Sequence, residues 1–337
     1  MGNAKLTFSE TVRATIDNKT KPVGSLGVIE SLAAQIAHVQ QSLTPRAETC
    51  ILTIFAGDHG MAAAGVSAFP SEVTQQMVLN FLSEGAAANV FANSVGADVQ
   101  VVDAGVMGAP IEHPALIQKR VAPGTANAIV EPAMTTDQLE AALASGEEIG
   151  RALTCDVACF GEMGIGNTSA ASLISAKVLG LPIETLIGRG TGLDDAGLAR
   201  KSDLLAQAAQ RTPGELDAKT ALTEYGGFEI AMMCGAMLGA SDTGRIIIID
   251  GFIASAAALC ALKIRPACAQ NFIYGHCSAE AGHRRVLDAI GAAPLLDLEL
   301  RLGEGTGALL AWPLVKAAAA MLRDMASFES AGVSGPG

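Results

Sequence analysis

Four short apolar runs, each ending in or beside a glycine or an acid, constrain this chain more than any other feature. They are TCILTIFAG (49–57), DVQVVDAG (98–105), DVACFGEMG (156–164) and RIIIIDGF (245–252). They lack the polar alternation of a half-exposed strand and read instead as strands covered on both faces. Between them lie 71–96, 167–180 and 226–240, rich in alanine and apolar residues, which read as helices. The expected fold is α/β: a doubly wound, mostly parallel, Rossmann-like sheet. Residues 1–20 read as a polar helix, and 28–43 and 307–328 as further helices. The chain ends, 1–45 and 305–330, are therefore expected to pack as a small helical domain beside an α/β nucleotide-binding catalytic domain over 46–304, with 331–337 as a loose tail.

Composition narrows the range of functions. The 337 residues include 34 acidic against 22 basic side chains, a formal charge of −12, which opposes a broad electrostatic grip on nucleic acid. An anionic small molecule would have to be held by local backbone N–H groups and one or two placed cations. The seven cysteines sit in apolar surroundings with no CxxC spacing and no histidine at ligand spacing, which points to buried free thiols in a reducing cytoplasm rather than to disulfides or a zinc site. The most apolar stretch, 246–262, is short for a membrane span and carries Asp250 in its middle, so it reads as strand, turn and helix. No signal-peptide core precedes the first helix. The expectation is a cytoplasmic enzyme with no nucleic-acid or membrane partner.

In an open parallel sheet, ligands sit outside the carboxyl ends of the strands, where these runs carry glycine with Asp, His or Glu. In GEMGIGNTSAAS (161–172), Gly164 and Gly166 lead into Asn167-Thr168-Ser169, an N-cap that brings free N–H groups and a helix dipole to one point. The spacing matches neither the phosphate loop with its lysine nor the dinucleotide GxGxxG, and a plain strand-to-helix turn remains the alternative. GDHG (57–60) offers either a general-base dyad of Asp58 and His59 or, more commonly, a capped turn. Asp194-Asp195 reads as the solvated start of a helix, with Lys201 as a plausible phosphate partner further along it. GHCSAEAGHRR (275–285) lacks the GxSxG order of a hydrolase elbow, which argues against a nucleophilic Ser278 or Cys277. In LRLGEGTGALL (300–310), Glu304 lies between two glycines with apolar neighbours; there it is either a base with a raised pKa or an ordinary exposed turn residue.

Together, KPVGSLG (21–27), GDHG (57–60), GEMGIGNTS (161–169), GGFEI with GAMLGA (226–240), DGFI (250–253), HCSAE (276–280) and LRLGEGTGA (300–308) resemble, in this order, the nicotinate-nucleotide–dimethylbenzimidazole phosphoribosyltransferase family. The resemblance runs from about residue 20 to 325. It implies transfer of ribose 5-phosphate from nicotinate mononucleotide to 5,6-dimethylbenzimidazole, with inversion at the anomeric carbon, in assembly of the cobalamin nucleotide loop. It further implies a homodimer and no metal or organic cofactor. The family's catalytic base falls on Glu304, with Glu162 as a second catalytic carboxylate. Phosphate and ribose contacts fall on Gly164, Gly166, Asn167, Thr168, Lys201 and Ser278, and base contacts on Leu302, Gln76 and Phe69. A related purine or phenolic acceptor, a non-catalytic nucleotide-binding relative and an oxidoreductase are the competing readings. The missing GxGxxG weakens the oxidoreductase.

Overall fold

The computed structural model describes residues 6–190 and 192–334. The four apolar runs form β1 (Cys50–Gly57), β2 (Asp98–Gly105), β4 (Val157–Met163) and β5 (Ile246–Ile249). Two three-residue strands, β3 (Leu116–Gln118) and β6 (Phe272–Tyr274), complete a sheet of order β3-β2-β1-β4-β5-β6 in which every ladder is parallel. The doubly wound expectation therefore holds. The order reverses between β1 and β4, so the crevice beyond their carboxyl ends is where such a sheet presents a ligand site.

Strand alternation divides the core into two layers. Phe55, Phe160, Ile247 and Ile249 point to one face, under α5 (Thr136–Ala152), α6 (Asn167–Leu179), α8 (Ala218–Tyr225), α9 (Phe228–Asp242) and α10 (Phe252–Ile264). Leu52, Ile54, Cys159, Ile246 and Ile248 point to the other, under α1 (Phe8–Asp17), α2 (Val28–Gln40), α3 (Glu72–Leu82), α4 (Ala87–Val95) and α12 (Thr306–Asp324). The remaining helices are α7 (Asp195–Gln210), α11 (His283–Ile290) and α13 (Phe328–Ala331).

The chain-end helices do pack together. α12 lies along α2, α1 also packs on α2, and the end of α1 is tied to the segment before α13 by a bridge between Lys19 and Ser327. Their buried side chains, among them Val12, Ile16, Ile36 and Trp312, are continuous with the β1 residues Leu52 and Ile54. The terminal stretch differs in detail from its expected outline. The helix expected over 307–328 stops at Asp324, and Ser327 caps a second short helix that runs through Ala331, the first residue of the expected tail. Residues 335–337, like 1–5, lie outside the described residues.

The stretch 71–96 is two helices rather than one. Glu84 takes a left-handed φ of 60° between them, and Ala86 becomes the cap of α4. This break leaves unpaired N–H groups in the first turn of α4, and one of them serves the site described below.

Candidate active site

A cavity of about 470 Å³ opens beyond the carboxyl ends of the central strands. Phe69 and, on α3, Val73 and Met77 form an apolar wall. Glu162, Gly164, Asn167 and Thr168 form a second wall, from the end of β4 into the start of α6. Asp250, His276, Ser278, Glu280 and the segment Arg301–Glu304 close the remainder.

The segment carrying Glu304 is held in an unusual backbone. Gly303, Glu304 and Gly305 all take left-handed φ angles of 84°, 61° and 82°. For the glutamate this costs on the order of 1 kcal/mol, a strain that persists where surrounding structure enforces it. The enforcement is visible: a side-chain carbon at Gly303 would collide with the Glu162 carboxylate, and one at Gly161 would meet the Glu304 backbone 2.5 Å away. Glu304 N–H donates to Glu162 Oε1 at 3.4 Å, and Ala88 N–H at the start of α4 donates to Glu304 Oε2 at 3.4 Å. Burial pushes the Glu304 carboxyl above its ordinary pKa; the Ala88 bond opposes this and the Asp250 charge reinforces it. A carboxylate so placed is a stronger base than one in water.

Glu162 ends β4 and is also buried. Its pKa is pushed up to about 8, first by burial and then by the Asp250 charge, against the hydrogen bond it accepts from the Asn167 amide. Asp250, just past β5, accepts from Ala308 N–H at 2.9 Å and lies 3.5 Å from His276 Nε2. Three acids thus converge on one cavity, an arrangement suited to a substrate that carries or develops positive charge.

The end of the cavity expected to take an anion is built from α6. Gly164 lies against the Gly57 carbonyl, too close for any side chain, and lines the cavity; Gly166 caps α6 against His59 and Ala62. Lys201 lies fully buried behind this wall, its Nζ donating to Thr168 Oγ1 at 3.0 Å. Burial pushes its pKa down to about 8, with Glu280 opposing, so an arriving anion would draw it fully to the charged form. Ser278 donates its N–H to His283 Nδ1 at 2.8 Å and accepts from Glu280 N–H at 3.2 Å. Burial pushes the His283 pKa down to about 3, so this imidazole is neutral.

Of the residues singled out in the sequence, Glu304, Glu162, Gly164, Asn167, Thr168, Ser278, Leu302 and Phe69 line the cavity, with Gly166 and Lys201 directly behind it. Gln76 is elsewhere: it is exposed on α3, and the cavity wall takes the neighbouring positions Val73 and Met77. Asp58 and His59 do not act as a dyad. Asp58 accepts from Thr74 Oγ1 at 2.6 Å and from Met107 N–H at 2.8 Å, while His59 Nε2 pairs with Glu229 Oε1 at 2.7 Å. Burial alone would depress the His59 pKa, but Glu229 outweighs it and raises it. Asp194 caps α7 by accepting from Gly197 N–H at 2.7 Å, and Asp195 is exposed beside Arg189. Asp250, His276, Glu280 and Arg301 line the cavity without having been assigned roles from sequence, although Asp250 and His276 follow strands β5 and β6, the positions at which a parallel sheet places ligand contacts.

All seven cysteines are buried and free. Among the described residues no group of three or more His, Cys, Asp or Glu side chains could hold a metal ion, and no helix is long and apolar enough to cross a membrane.

A sequence model of the phosphoribosyltransferase family matches residues 2–333. The nicotinate-nucleotide–dimethylbenzimidazole phosphoribosyltransferase of Dechloromonas aromatica strain RCB is 55% identical over 325 residues, 95% of this chain and 93% of that protein. The chain belongs to this family. The protein of the same name from Thermus thermophilus is 45% identical over 325 residues, covering 96% of this chain and 97% of its own. The crystal structure of CobT from Thermus thermophilus superposes with a TM-score of 0.94 at 44% identity, covering 98% of this chain and 99% of that one. Membership of a phosphoribosyltransferase family makes the cavity the place to seek a ribose phosphate, a leaving base and an incoming base.

Proposed function

We propose that this protein transfers ribose 5-phosphate from nicotinate mononucleotide to 5,6-dimethylbenzimidazole, releasing nicotinate and forming α-ribazole 5′-phosphate in cobalamin nucleotide-loop assembly. The observation that carries the proposal is Glu304, a carboxylate held in strained backbone, buried, with a raised pKa, between an apolar wall and the Glu162 carboxylate. The pyridinium of the donor departs as a neutral ring with its carboxylate, so the leaving group needs no magnesium. One benzimidazole nitrogen attacks the anomeric carbon from the face opposite nicotinate, inverting it from β to α, while the other ring nitrogen gives up its proton.

Glu304 takes that proton, its basicity raised by the apolar surroundings of the acceptor. Asp250 supplies negative charge beside the ribose, where positive charge gathers as the glycosidic bond stretches, and that developing charge favours release of the proton that burial keeps on Glu162. The N-terminal end of α6, where Thr168 is backed by the Lys201 ammonium, suits the 5′-phosphate. Positioning two flat rings on opposite faces of one sugar supplies much of the acceleration. The half-exposed Phe69 and Leu302 at the cavity mouth support a homodimer in which a second copy covers that rim.

Glu304→Gln tests the assignment. It is expected to fold normally and bind both substrates while turnover falls by about 100-fold or more, as for loss of a general base. Nicotinate release and α-ribazole phosphate formation followed by chromatography measure it; near-normal turnover would remove Glu304 from the role of base.

A further inference from the structure

We infer that Thr74 is a positioning residue for the proposed transfer: its hydroxyl fixes the gap between the two walls that must hold the acceptor ring and the ribose. The inference rests on the transfer proposed above. Thr74 is fully buried in the first turn of α3. Its Oγ1 donates to Asp58 Oδ1 at 2.6 Å and accepts the N–H of Ile165 at 3.1 Å. Asp58 is itself fixed, since Oδ2 accepts from Met107 N–H at 2.8 Å. A hydroxyl has one proton to give, and here it is committed to Asp58, leaving the lone pairs to hold the Ile165 amide.

What these two bonds join matters more than their number. On α3, Val73 and Met77 flank Thr74 and form the apolar wall; on the other side Ile165 sits between Gly164 and Asn167, whose amide grips Glu162. One hydroxyl therefore spans from the acceptor-side helix to the turn that carries the ribose-side carboxylate. Asp58, at the end of β1, is the fixed post to which it is moored.

Inversion by two rings on opposite faces of a ribose depends on that gap, and slack of about 1 Å can cost roughly 100-fold. Slack also admits water. The glycosidic C–N bond then breaks with its electron pair leaving on the nicotinate ring nitrogen, a water oxygen bonds the anomeric carbon, and the water's proton goes to Glu304. The products are ribose 5-phosphate and nicotinate, with no α-ribazole phosphate.

The test uses the full-length protein and its Thr74→Val and Thr74→Ser variants, measuring nicotinate and α-ribazole phosphate together and the hydrogen exchange of the Ile165 amide. In the wild type the two products are expected in equal amounts. Thr74→Val, which keeps the shape and loses the hydroxyl, is expected to release nicotinate in excess, to lower kcat and to expose Ile165; Thr74→Ser restores all three. Equal products with wild-type kcat in Thr74→Val overturn the inference, as does excess nicotinate that Thr74→Ser fails to correct. If Thr74→Val does not fold, Thr74→Cys, similar in volume with a weak hydrogen-bonding thiol, carries the same comparison. Absence of any transfer by the wild type would overturn the reaction and the positioning role together, and is distinguished by the wild-type assay alone.

Discussion

Glu162 is a residue whose chemistry works against the stability of the fold. With its folded pKa near 8 and an ordinary value of 4.5, it keeps a proton in the native state over a range of pH in which the unfolded chain has lost it. The native state binds more protons, so stability falls as pH rises between those two values, by on the order of 5 kcal/mol over the whole interval. Glu162→Gln removes the titration. Its melting temperature is expected to overtake that of the wild type progressively from pH 5 to pH 8.5, while activity drops across the whole range; thermal melts at stepped pH check the first half and turnover the second. A parallel shift at all pH values would mean that Glu162 does not titrate there.

At the scale of elements, the decisive contact is between α5 and α9. Gly146 and Gly150 on α5 meet the carbonyls of Met232 and Ala236, and Gly235 and Gly239 on α9 meet those of Leu143 and Glu147. The four glycines, spaced four apart on each helix, bring the two backbones into contact with no side chain between them. Alanine normally gains about 1 kcal/mol over glycine in a helix, but here its methyl would enter a neighbouring carbonyl, and overpacking costs about 1–3 kcal/mol or more. Gly235→Ala is therefore expected to destabilise by about 2 kcal/mol net, read from the urea midpoint at unchanged slope. Of these two helices, α5 was not among those read in the sequence, whereas α9 was legible there as the apolar, alanine-rich stretch 226–240. The interlocking was not, because GAMLGA reads the same whether its glycines face a helix or a solvent groove. The break between α3 and α4 had a local mark in Gly85, although Glu84 in a left-handed conformation is a tertiary outcome.

For the whole molecule, Trp312 shows how the chain ends are bound to the sheet. It is almost fully buried on α12, its Nε1–H donates at 3.0 Å to the carbonyl of Ala47, which leads into β1, and Lys316 lies over its ring. Trp312→Ala is expected to cost about 3–5 kcal/mol in denaturant unfolding, with both halves of the molecule unfolding in one transition because they share that core. The sequence made most of the cavity legible, since glycine-bounded loops at strand ends are local signals. What it hid were partners brought together from distant strands: Asp250 against Glu162 and Glu304, Glu229 against His59, Thr74 against Asp58 and Ile165. Each of these is a polar residue with an ordinary local role until the sheet order sets its neighbour. One consequence concerns the handling of the protein. Glu304 immediately precedes Gly305, the cap of a 19-residue helix, so the proposed base and the residues near the C-terminus stand at opposite tips of a rod about 28 Å long. A protease cut near residue 325 would remove the ties from Lys19 to Met325 and Ser327 at the far tip, so the activity of such a preparation is to be compared with that of the intact chain before a defect is assigned to Glu304.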